Sequence, residues 1–140
     1  MKAKLTGLLA VLGFFLLVGP AFAHHPFAAE FDKDKPVHLT GTVSKLDWTN
    51  PHASLILDAK DSSGHVTNWT FELGGPNALK RRGWTRNTLK TGDQVTVVGW
   101  QAKDGRNHGN ANTVMLSTGK ELDAASSFFD KASTKDHVSH

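Results

Sequence analysis

The chain has 140 residues, 16 Lys+Arg against 13 Asp+Glu, and a formal charge of +3. That length fits one modest domain and excludes a large multi-domain enzyme. The absence of cysteine excludes disulfide staples, thiolate metal sites, cysteine nucleophiles and a lipid-anchored N-terminal cysteine.

Residues 1–23 have the pattern of a cleavable export signal. Lys2 and Lys4 give a basic start, Leu5 to Val18 an apolar middle, and Ala21 and Ala23 the small residues before a cleavage site. The apolar run holds 14 residues, short of the roughly 20 that span a bilayer. With no twin-Arg pair, the general secretory route is expected. Cleavage after Ala23 leaves 140 − 23 = 117 residues and a charge of 14 − 13 = +1. No second apolar run of spanning length follows, so no membrane span is expected after cleavage. A nearly neutral exported chain also argues against a nucleic-acid partner. Four Trp and five Phe remain, and these rings must supply much of the core.

His24 to Lys35 is a polar lead-in carrying Phe27 and Phe31. The first strand is expected from Val37 to Val43, with Val37, Leu39 and Val43 on one face. The phase shifts by one before Leu46 and Trp48, which predicts a bulge near Ser44-Lys45. Thr49-Asn50-Pro51-His52 is a turn cluster. The second strand runs from about Ala53 to Lys60, and Asp61-Ser62-Ser63-Gly64 makes a hairpin loop. The third strand covers about Val66 to Leu73, with Trp69, Phe71 and Leu73 in phase.

Gly74-Gly75-Pro76 breaks that strand, and Pro76 suits the start of a short helix, Asn77 to Arg82, capped by Gly83. Thr85 would cap one more turn through Leu89. The fourth strand is Gln94 to Gln101, the loop Lys103 to Gly109 follows, and the fifth strand is Ala111 to Ser117 with a brief Glu121-Leu122 extension. From Ala124 the chain reads as a loose polar tail. The expected organisation is thus signal 1–23, folded domain 24–123 and tail 124–140. Its order, β-β-β-α-β-β, predicts an all-β fold, a small five-stranded OB-fold-like Greek-key barrel with a short helix between strands three and four. Another small β-barrel or a lipocalin-like fragment is the alternative.

Several segments carry a family resemblance. They are His24-His25-Pro26-Phe27-Ala28, Phe31-Asp32, Leu39-Thr40-Gly41-Thr42-Val43, Trp48-Thr49-Asn50-Pro51-His52 and Gly83-Trp84-Thr85-Arg86 through Gly92-Asp93. Together they resemble the short exported bacterial proteins grouped as domain-of-unknown-function family 6152, over about Ala23 to Leu122. The family usually has Ser where this chain has Pro26, a difference that bears on backbone chelation. The resemblance implies a periplasmic, OB-like domain and supplies no established activity.

The sharpest chemical feature is the new N-terminus. Cleavage after Ala23 would expose the α-amine of His24, which forms a six-membered chelate with its own imidazole Nδ1. A second imidazole would complete a three-nitrogen site of the histidine-brace kind, and such donors favour Cu(II). His25 is a nearby donor. His52 is the preferred distal partner, and His108 the reserve. Trp48 and Asn50, on the loop that rims an OB-fold's ligand face, could stack on and hydrogen-bond a small ligand. Filling the core and making the turn would explain them equally. Lys80, Arg81, Arg82 and Arg86 form a cationic cluster for an anion or acidic partner, or a solvated face at the helix C-terminus. Asp47, Asp58, Glu72 and Asp93 sit at unrelated positions, so no carboxylate pair is expected.

These features predict an exported small binding protein, with copper as the one cofactor to consider. The alternative is a metal-free interaction module holding an unknown periplasmic partner or small anionic ligand. A small copper oxidoreductase is a third reading, but nothing beyond the histidines speaks for catalysis.

Overall fold

The computed structural model describes residues 27–126. The expected signal, His24, His25 and residues 127–140 lie outside the described residues. The fold is all-β; the described residues form six strands in one mostly antiparallel sheet and two short helices.

Helix α1 (Phe27–Glu30) leads directly into strand β1 (Phe31–Asp47). The strand therefore begins six residues before the expected Val37. Asp32 to Lys35 read as loop because they are polar. The chain there is nonetheless extended, and pairing resumes at Pro36, opposite Trp100. The first half of β1 pairs with β4 (Gln94–Ala102), and the second half with β2 (Ser54–Lys60). The two pairings overlap at Thr42, and at the neighbouring Gly41 an added Cβ would stand 2.9 Å from the Asp58 carbonyl oxygen. The bulge falls where the phase shift placed it, between Val43 and Lys45.

Strand β3 (Val66–Glu72) pairs with β2 in continuous register across the Asp61–Gly64 hairpin. Gly75 then opens helix α2 (Pro76–Arg81), with Pro76 in its first turn, where a missing N–H costs nothing. Gly83 follows at φ +90°, the left-handed conformation that lets the chain leave the helix. Thr85 to Leu89 form a turn rather than the expected helical turn. Its hydroxyls satisfy the backbone: Thr88 Oγ1 accepts from Thr85 N and Thr85 Oγ1 accepts from Asn87 N.

Strand β5 (His108–Leu116) starts at His108, three residues before the expected Ala111. Its first residues pair in parallel with β3, with Thr70 beside His108 and Glu72 beside Asn110. Pairings therefore run in a ring, β1–β2–β3–β5–β4–β1. The Glu121-Leu122 extension is a sixth strand, β6 (Glu121–Asp123), paired with the far end of β5.

The core gathers Val43, Leu55, Leu57, Phe71, Leu73, Leu79, Trp84, Val95, Val97 and Val114. Trp84 carries the largest buried side chain, at 1% exposure, and its Nε1 donates to the Asp123 carbonyl at 2.8 Å. Ala124, Ala125 and Ser126, the start of the expected loose tail, are buried. Gly74 N donates to Ala124 O and Ala124 N donates to Asn112 O, both at 2.9 Å. Their small side chains fit this position; even a Cβ on Gly74 would come 2.8 Å from the Ala125 carbonyl oxygen. Among the described residues no helix is long and apolar enough to cross a membrane.

Candidate functional site

The ring of pairings brings distant side chains together where β3 meets β5. In the parallel register Glu72 lies beside Asn110, and His108 is two residues earlier on the same face. In the β2–β3 ladder Ser54 is opposite Glu72, so His52, two residues before Ser54, falls on the Glu72 side. Ala53 N donates to Gly74 O and Leu73 N to Ala53 O, which fixes the backbone around both residues. At the other strand, Lys103 N donates to Glu30 O at 2.9 Å and Phe31 pairs with Ala102, so the end of α1 is held beside the loop that leads to His108.

The result is a compact set of acids and imidazoles. His52 Nδ1 lies 2.9 Å from Glu72 Oε1, and His108 Nε2 lies 3.3 Å from Glu30 Oε1. One ligating atom from each of Glu30, Glu72 and His108 lies within 4.8 Å of the others. Burial pushes the Glu72 carboxyl above its ordinary range; the Glu30 charge adds to the rise and His108 offsets part of it. A cavity of about 20 Å³ is lined by Phe27, Glu30, Phe31, His52, Glu72, Asn110 and Ser126.

Aromatic packing holds this corner. Phe31 stacks on the His108 ring with centroids 5.5 Å apart, and Phe27 stacks on Phe31 at 5.3 Å. Phe27 also meets Trp100 edge-on at 5.7 Å. Gly109 is required here: a Cβ would stand 2.7 Å from the Phe71 ring.

The two histidines expected as alternative distal ligands, His52 and His108, thus belong to one cluster. His24 and His25 lie outside the described residues. The other expected site residues are elsewhere. Trp48 is half-buried and packs against the core cluster. Asn50 is exposed, at a cis bond to Pro51. Arg82 is engaged structurally, 3.4 Å from the Asp123 carboxylate and donating to the Ala125 carbonyl, while Arg81 and Arg86 are exposed. None of these five lines the cavity beside His52.

The expectation that no carboxylates pair is corrected by Glu30 and Glu72. They end α1 and β3, and only the β3–β5 pairing and the docking of α1 unite them. Asn110 was equally unmarked in the sequence. The parallel β3–β5 contact sets Glu72 beside Asn110, and the docking of α1 beside Lys103 brings in Glu30.

Comparison with curated proteins and with solved structures gives no match. A family model does match, over residues 14–112, from the signal-like segment through Glu30, His52, Glu72, His108 and Asn110. The chain therefore belongs to the family of unknown function DUF6152.

Proposed function

We propose that the chain is an exported periplasmic binding protein, an OB-fold-like Greek-key barrel that holds copper through the mature N-terminal histidine. The barrel reading is supported by the pairing ring, by the parallel β3–β5 contact and by the helix between β3 and β4. β6 is an addition to the five strands of the ring.

The observation that carries the metal reading is the position of His52. It lines a cavity together with Phe27, and Phe27 follows His24 by only three residues. Chain geometry puts their Cα atoms within about 11 Å of each other. The amine and Nδ1 of His24 would supply two nitrogens and His52 the third. A carboxylate at Nδ1 of an imidazole sets the tautomer that ligates through Nε2, and Glu72 stands at His52 Nδ1. Nitrogen donors of this kind bind Cu(II) most strongly among the common divalent ions. The protein would bind, carry or buffer the ion.

The test is mass spectrometry of the exported protein's N-terminus, followed by Cu(II) titration read by EPR. A chain starting at His24, with nitrogen-ligated copper at micromolar concentration, is expected. A different start, or no nitrogen ligation, sinks the reading. The metal-free interaction module has less behind it, because Arg82 is already held by Asp123 and Ala125. Lys80, Arg81 and Arg86 of that cluster face solvent.

A further inference from the structure

The N-terminal chelate takes no donor atom from Glu30, Glu72 or Asn110, although Glu72 orients its His52. The two carboxylates come from different elements, yet each places an oxygen within 4.8 Å of the other and of a His108 ring nitrogen. Like charges at that distance repel, and they repel more where solvent is partly excluded. Each acid has a histidine neighbour, His52 at 2.9 Å from Glu72 and His108 at 3.3 Å from Glu30. Two carboxyl groups and one imidazole thus converge on one small space.

A second, independent observation points to an occupant of that space. Asn110 is 1% exposed, and its Oδ1 is buried with no hydrogen-bond partner among the described residues. A buried acceptor without a partner costs about 1–3 kcal/mol, and such groups are few in folded proteins. Asn110 lines the same cavity as Glu30 and Glu72, with a volume of about 20 Å³, enough for one water-sized occupant. Two carboxylate oxygens, one imidazole nitrogen and one amide oxygen are donors of hard to borderline character. They suit a divalent ion that takes oxygen and nitrogen together.

We propose that Glu30, Glu72, His108 and Asn110 form a binding site for one divalent cation of the Mn(II) or Zn(II) type, distinct from the N-terminal chelate. The ion neutralises the paired carboxylates and gives Asn110 Oδ1 its partner. His52, 2.9 Å from Glu72 Oε1, orients that carboxylate from outside. The stacked Phe31 ring fixes the plane of the His108 imidazole.

The test uses the exported protein and a version with one glycine inserted ahead of His24, which removes the terminal chelate. Mn(II) binding is read by the EPR signal of the free ion, and Zn(II) by competition with Mn(II). One equivalent should bind to both proteins at micromolar concentration, with Zn(II) displacing Mn(II). Glu30→Gln and Glu72→Gln should each weaken binding at least about tenfold. Asn110→Asp, which adds a charged oxygen donor, should tighten it. Both glutamine variants keep side-chain shape, and their thermal unfolding without metal checks that they fold. Binding only at millimolar concentration, or binding indifferent to both glutamine substitutions, overturns the proposal. Loss of Mn(II) on glycine insertion also overturns it, by assigning the ion to the terminal histidine. Mn(II) binding that survives insertion, in a protein showing no nitrogen-ligated copper, sustains this site and sinks only the copper chelate.

Discussion

Replacing Trp84 with Phe tests whether residues 123–126 belong to the folded unit. Trp84 is 1% exposed, and its indole N–H reaches the Asp123 carbonyl at 2.8 Å, the point where the chain turns toward Ala124. Phe keeps an aromatic ring but cannot donate. The lost hydrogen bond is worth about 1 kcal/mol. The smaller ring forfeits about 2 kcal/mol more in transfer and cavity energy. A loss of about 3 kcal/mol leaves a domain of ordinary stability folded. At about 4–8 °C per kcal/mol for a domain near 100 residues, Tm should fall by about 12–24 °C. Urea unfolding followed by far-UV circular dichroism measures the loss, because fluorescence would be confounded by the missing indole. Hydrogen exchange should quicken at the amides of Gly74 and Ala124, which are bonded through this segment. A loss below about 1 kcal/mol, with exchange unchanged at both amides, would refute the docking of the chain end through Trp84.

Gly99→Ala should destabilise by more than about 3 kcal/mol or prevent folding, because its Cβ would stand 1.9 Å from the Asn110 carbonyl oxygen; near-native Tm would contradict that close approach. Glu72→Gln should stabilise the metal-free protein at neutral pH. The native carboxyl is raised mainly by burial, so its ionisation opposes folding above the ordinary carboxylate pKa, and the gain should fade as pH falls below that value; urea midpoints at pH 7 and pH 4 check this, and a variant weaker at pH 7 contradicts it. Ser63→Ala should raise the pKa of Asp61. That carboxyl is held low first by the Ser63 hydroxyl at 2.6 Å and then by backbone N–H groups of the loop. Its depressed pKa supports folding above the ordinary carboxylate value and loses that support as pH falls through the native one. An NMR titration of the Asp61 side chain with no upward shift would contradict the assignment.

Strand positions were legible where side-chain chemistry alternates. Leu55, Leu57 and Ala59, and Trp69 and Phe71, mark buried faces whose partners the ladder confirms. The phase slip before Leu46 marked the bulge because a one-residue shift moves every side chain to the other face. The beginning and end of the fold were not legible for opposite reasons. Asp32 to Lys35 are charged, yet the chain there is extended through backbone geometry rather than an apolar face. Ala124 to Ser126 look like tail because they are small, and small size is what lets them pack against Gly74. α1 is four residues long, too short to write a helical period. At the site, His52 and His108 were visible as residue types that ligate metals. Their meeting with Glu30, Glu72 and Asn110 depends on a parallel contact between β3 and β5 and on the docking of α1. No local pattern encodes a pairing between segments so far apart in the chain.

The copper reading stands or falls on the free amine of His24. The decisive comparison is the Cu(II) EPR spectrum of the exported protein, its N-terminus verified by mass, against the version carrying one glycine ahead of His24. A three-nitrogen spectrum that disappears on insertion is expected. Identical spectra from the two proteins would contradict the terminal chelate.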